Sequence, residues 1–210
     1  MSNKDITQKL AEGRQYRNMA EVRALEDEKI VEGYATTFDA PYELFREDGY
    51  TVMEQVDRRA FDDADMSDVI MQYDHEGRVF ARGSNATLQL AADDHGLHIR
   101  ADLGGTELGR QLYEEISGGY TTKMSFGFRV AEDSRTVTED REKNEVTVLR
   151  TITKISKLYD VSAVSLPAND GTSISARSLG EGIIAEAKEE IRKRKEREEH
   201  IARIKAMLED

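Results

Sequence analysis

The chain has no cysteine and no tryptophan, and only two prolines in 210 residues. Without thiols there is no disulfide framework, no cysteine nucleophile and no cysteine-ligated zinc or iron–sulfur centre. No apolar run approaches the roughly 18 residues of a membrane span, and Met1-Ser2-Asn3-Lys4-Asp5 is not the basic-then-apolar start of a signal peptide. These absences lead us to expect a soluble protein kept in a reducing cytoplasm, with no membrane partner. Basic charge is also short: 30 Lys and Arg stand against 42 Asp and Glu, a net charge of −12. Phosphate binding needs a basic face, so nucleic acid is not an expected partner. With 34% charged and 38% hydrophobic residues, the chain is polar for a globular protein yet too apolar for wholesale disorder, which suits one domain with appendages.

What the chain does have is chiefly strand pattern. Residues 1–28 read as a polar N-terminal arm, in which Tyr16, Met19, Val22 and Leu25 fall at helical spacing. The body, 29–178, carries short β-rich runs bounded by turn residues: Ile30 to Phe38, Tyr50 to Val56, Val69 to Tyr73, a hairpin around Asp93-Asp94-His95-Gly96, and a long segment from Glu145. His95 and His98 fall in the turn and on the polar face of that hairpin, so no metal is expected there. One helix interrupts the strands, with Thr106 as N-cap, Leu108, Leu112 and Ile116 as its buried stripe, and Gly118-Gly119 at its end. Residues 179–210 read as a charged C-terminal helix, solvated or serving as a handle for assembly. Glu189 with Lys193 and Glu190 with Arg194 are favourable i,i+4 pairs. This order of elements predicts an α+β fold, a mainly antiparallel β-barrel or sandwich with helical decoration.

The stretch Lys123-Met124-Ser125-Phe126-Gly127-Phe128-Arg129-Val130 reads at period two. Met124, Phe126, Phe128 and Val130 make an apolar back; Lys123, Ser125, Gly127 and Arg129 make a small, open front. A glycine inside a strand marks where a ligand or another backbone comes close. Three residues invite chemistry: His75 at a strand end, Ser125 on this front, and Asp160 in the long β segment. A serine hydroxyl becomes a nucleophile when an imidazole takes its proton and a carboxylate holds that imidazole in place. The order His, Ser, Asp is unlike the common ones, but triads are recognised by geometry. There is no G-x-S-x-G elbow. Backbone amides near Pro167-Ala168-Asn169, helped by Arg129 or Lys123, are candidate oxyanion donors.

Tyr73-Asp74-His75-Glu76, Met124-Ser125-Phe126-Gly127-Phe128 and Leu158-Tyr159-Asp160-Val161-Ser162-Ala163-Val164-Ser165-Leu166-Pro167-Ala168 together resemble the HK97-type phage prohead maturation proteases, over roughly residues 30–176. Gly33-Tyr34-Ala35-Thr36-Thr37-Phe38 and Val56-Asp57-Arg58-Arg59-Ala60-Phe61 are similar to further family segments. The resemblance implies a β-barrel surrounded by helices, related to the herpesvirus assembly proteases. It implies Ser125 as nucleophile and His75 as general base, with Asp160 where the herpesvirus enzymes carry a second histidine; Glu76 and Asp74 are the alternatives. It also implies a serine endopeptidase, free of cofactors, that is packaged inside the prohead in the host bacterial cytoplasm. There it would cut the major capsid protein or its scaffolding segment, and then itself, with self-association expected. A non-catalytic scaffolding factor with the same fold is the competing reading, and a small-molecule esterase a third.

Overall fold

The computed structural model describes residues 9, 12–25, 28–165 and 170–209. Its architecture grows from one long hairpin. β9 (Lys123–Asp140) and β10 (Glu145–Val164) pair antiparallel over nearly their whole length. Asp140 ends β9 by accepting hydrogen bonds from the amides of Glu142 and Lys143, the local side-chain bonding that favours Asp in turns. Along its other edge β10 takes two parallel partners in succession, β4 (Tyr50–Val56) at 146–152 and β5 (Ile70–Tyr73) at 160–163. β3 (Tyr42–Glu47) flanks β4, and β6 (Glu76–Arg82) flanks β5. Beyond β9 the sheet continues through β1 (Gln15–Leu25), β2 (Ile30–Thr37), β8 (Gly96–Asp102) and β7 (Leu88–Ala92), antiparallel throughout.

The fold is α+β, as expected, but the sheet is open and the predicted barrel is not closed. Among the described residues β6 pairs only with β5, and β7 only with β8. Between them the chain makes a 3-10 turn at Gly83–Asn85 and passes through left-handed Ala86, φ 61°. Asp68 holds that corner by accepting from the Arg82 guanidinium and the Ser84 amide.

Two further differences bear on the site. The stretch with helical spacing at Tyr16, Val22 and Leu25 is a strand, β1, hydrogen-bonded between β9 and β2; the residues expected as an arm thus include one inside the sheet. In α1 (Glu107–Ser117) the Thr106 hydroxyl does cap the helix, accepting from the Gly109 amide at 2.9 Å, and Gly119 takes a left-handed φ of 74° past its end. The buried stripe, however, is Gly109, Leu112, Tyr113 and Ile116, while Leu108 is exposed. A side chain at Gly109 would meet the Leu103 carbonyl oxygen at 2.3 Å, so glycine lets the first turn of the helix fold closely onto the loop that leads into it from β8.

The main core gathers Val31, Met71, Leu97, Ile99, Leu112, Ile116 and the three apolar residues Met124, Phe126 and Phe128 of β9. Phe126 and Phe128 stack with centroids 4.4 Å apart, a geometry available because alternate residues share a face. A second core lies where α2 (Asp170–Glu209) crosses β4 and β10: Ile183, Ile184 and Ala187 pack on Val52 and Val148. Arg135 pairs with Glu186 and Glu139 with Arg194, tying this half of α2 to β9. The expected Glu189–Lys193 pair forms at 3.3 Å. Toward the end of α2, Ile201, Ile204, Met207 and Leu208 are exposed. No helix among the described residues is long and apolar enough to cross a membrane.

Candidate active site

Ser125 lies in β9 directly between Asn18 of β1 and Ser162 of β10; two residues on, Gly127 lies between Tyr16 and Asp160. Residues opposite one another in an antiparallel pair stand on the same face, so β1, β9 and β10 present Tyr16, Ser125, Gly127, Asp160 and Ser162 together. The missing side chain of Gly127 is what makes room. A Cβ there would lie 2.4 Å from Asp160 Oδ2 and 2.8 Å from Tyr16 Cε1. The close approach expected at this glycine is therefore that of a carboxylate and a tyrosine ring.

His75 arrives from the other edge of β10. Tyr73 pairs with Glu76, leaving Asp74-His75 as a two-residue hairpin loop, and both are left-handed, φ 49° and 58°. Tight hairpins of this kind need positive φ at both central positions, which costs a non-glycine residue about 1–2 kcal/mol. Asp74 offsets that strain. Its amide donates to the Ala163 carbonyl at 3.0 Å, and its carboxylate accepts from the amide and hydroxyl of Ser165 at 3.0 and 2.9 Å. The turn is thereby pinned to the end of β10, next to Asp160 and Ser162.

The structure brings all three sequence-predicted residues together. His75 Nε2 is 2.5 Å from Ser125 Oγ, and His75 Nδ1 is hydrogen-bonded to Asp160 Oδ1. A carboxylate can only accept, so Nδ1 carries the proton and Nε2 is left to accept from the serine hydroxyl. Of the alternative carboxylates, Asp74 is engaged by Ser165 and Glu76 opens β6. Chemically, the arrangement can draw the Ser125 proton onto the imidazole while Asp160 holds the ring and its tautomer.

Three neighbours were not singled out from the sequence. Ser162 donates to Asp160 Oδ1 at 3.2 Å; its spacing of two from Asp160 is a signal that could have shown it. Tyr16 lays its ring 4.4 Å from that of His75, and Arg14 brings Nη1 to 3.9 Å from Asp160 Oδ2; neither contact leaves a local trace. The front of the serine strand is not open as expected: Ser125, His75 and Asp160 are 0%, 2% and 1% exposed. Arg129, a candidate oxyanion helper, donates instead to the Glu12 carbonyl at 2.6 Å. Lys123 begins β9, opposite Val164. The other candidate donors, Pro167-Ala168-Asn169, lie outside the described residues.

Gly127→Ala tests the crossing directly. The added methyl must push the Asp160 carboxylate off His75, since the flexible side chain yields before the strand does. Misplacing a positioning group by about an ångström costs on the order of 100-fold in rate. We expect at least that loss of turnover, together with a fall of a few degrees in melting temperature from crowding Tyr16 and Asp160; unaltered turnover would show that Asp160 need not cross there.

A model of the caudovirus prohead serine proteases matches residues 18–183, which takes in all three residues of the constellation. No curated protein and no solved structure matches the chain. With most of its length covered by that match, and with serine, histidine and aspartate meeting inside it, the chain belongs to the caudovirus prohead serine protease family.

Proposed function

We propose that this chain is a serine endopeptidase of capsid maturation, with Ser125 as nucleophile, His75 as general base and acid, and Asp160 as the carboxylate that orients the imidazole. The observation that carries the proposal is the bond from Ser125 Oγ to His75 Nε2, 2.5 Å long, on an imidazole whose other nitrogen is held by Asp160. Ser125 Oγ attacks the scissile carbonyl as its proton passes to Nε2. The imidazolium returns that proton to the leaving amine, and the acyl group stays on Ser125. Water, deprotonated by the same nitrogen, then releases the new carboxyl terminus and restores the serine.

The substrates are the coat protein or its scaffolding segment, met inside the prohead in the host cytoplasm, and in time the chain's own ends. Residues 29–178 carry the chemistry, and residues 179–210 form a charged helical appendage suited to self-association.

The test is the intact mass of the purified chain over hours, alone and with its coat protein, beside Ser125→Ala. Wild type should shorten the coat protein or itself, and the variant should not. Equal shortening by both would remove Ser125 from the reaction. No shortening by either, at high concentration with coat protein present, would favour the scaffolding role.

A further inference from the structure

A polypeptide cannot reach a serine that is 0% exposed: attack requires the scissile carbon within about 3–3.5 Å of Oγ. Beside the buried constellation stand the Tyr16 ring of β1, packed on His75, and, farther out, Lys9 and residues 12–14. Lys9 donates its ammonium to the His75 carbonyl at 3.2 Å. The Glu12 carbonyl accepts from Arg129, two residues beyond Gly127 on the serine strand. Gly13 turns the chain with a φ of 78°, and the Arg14 amide closes the turn on the Lys9 carbonyl at 3.1 Å. The Arg14 guanidinium lies 3.7 Å over the Tyr159 ring and points its Nη1 at Asp160. A main-chain carbonyl on an arginine and a guanidinium stacked on a tyrosine beside a carboxylate are contacts a bound peptide would make.

The contacts change in character at Arg17. Its side chain is buried and forked onto Glu54 at 2.5 and 3.1 Å, which anchors β1 in the sheet. Lys9 and residues 12–14 hold on through partly exposed groups, and they lie ahead of residue 18, where the family match begins. The pivot therefore falls between Arg14 and Arg17, and the segment can leave without taking β1 with it.

We propose that Lys9 and residues 12–14 are a plug bound in cis over the serine site, in the groove that Arg129, Tyr159 and the His75 turn offer to substrate peptides. The inference rests on the protease reading for its purpose. Its physical content, that the plug shuts Ser125 away, does not depend on it. The groove favours main chain flanked by basic side chains, and a substrate segment must displace the plug to bind.

The chain has no cysteine, so Ser125→Cys places a single thiol at the site, and its alkylation by iodoacetamide reads access without any catalysis. With the native segment, alkylation should be at least tenfold slower than after adding Arg14→Ala. Arg129→Ala, at an exposed side chain, should release the plug from its other end and speed labelling likewise, with melting temperatures unchanged. Removing a positive charge disfavours the thiolate, so faster labelling cannot be a charge effect. Alkylation as fast with the native segment as in either variant would overturn the plug. Fast labelling beside coat-protein cleavage by the intact wild type would reject the plug and keep the protease. Labelling accelerated by Arg14→Ala, in a wild-type chain whose Ser125 never cleaves a peptide or takes up a fluorophosphonate, would keep the plug and reject the protease.

Discussion

The double variant Ser125→Ala, His75→Ala is expected to be no slower than either single variant. Each single change should lower kcat by about a million-fold, because the hydroxyl is inert without the base and the base has nothing to activate without the hydroxyl. Asp160→Ala should cost less, about ten-thousand-fold, since the imidazole then keeps its place beside Ser125 but loses the partner that fixes its tautomer. The geometry sets this ranking. His75 touches Ser125 directly, whereas Asp160 acts through His75 Nδ1. The measurement is single-turnover cleavage of a coat-protein segment by each variant. Multiplicative losses in the double variant would mean that the two residues serve separate steps, and the shared-proton mechanism would fall.

How much of this can be read from residues alone depends on range. Alternation at Met124, Phe126 and Phe128 is a local property, and it gives β9 and its buried face. The grouping of His75, Ser125 and Asp160 is carried by three short motifs. Alternation says which side chains share a face but not what lies over them, so the front of β9 reads as open although Ser125 is buried there and Tyr16 packs on His75 beside it. The β1 segment carries too few apolar residues to declare a period, and only its partners on both edges make it a strand. In α1 a stripe of 108, 112 and 116 looks better than 109, 112, 113 and 116 because glycine has no hydropathy to count, yet it is the glycine that is buried, against the Leu103 carbonyl. The corner between β6 and β7, left-handed at Ala86 and held by Asp68, has no signature in sequence either.

The largest stability effect should come from a residue outside the site. Glu54, on β4, is fully buried and accepts from Arg17 at 2.5 and 3.1 Å, from Arg150 at 2.5 Å and from the Tyr42 hydroxyl. Arg150 also reaches Asp133 at 2.8 Å, and Gln15 accepts from both arginines. Glu54→Gln leaves two buried guanidinium groups with one half-buried carboxylate between them. Breaking a buried ion pair from one side costs about 3–5 kcal/mol, which for a chain of this size lowers the melting temperature by about 10 °C. Acid should reproduce part of that loss. Burial alone would push the Glu54 carboxyl up, but Arg17 and Arg150 outweigh it and hold the group below its ordinary 4.5. A depressed carboxyl contributes fully above its unfolded value and loses that contribution as pH falls through the folded one. The wild type should therefore lose stability below about pH 4.5 more steeply than Glu54→Gln does, measured by urea unfolding across the acid range. Parallel slopes would show that Glu54 binds its proton equally in both states. Because Arg17 is the anchor of β1, and β1 carries the Tyr16 ring against His75, the variant should also lose activity below its melting temperature. A Glu54→Gln protein that melts early yet cleaves at the wild-type rate in the cold would separate the anchor from the site.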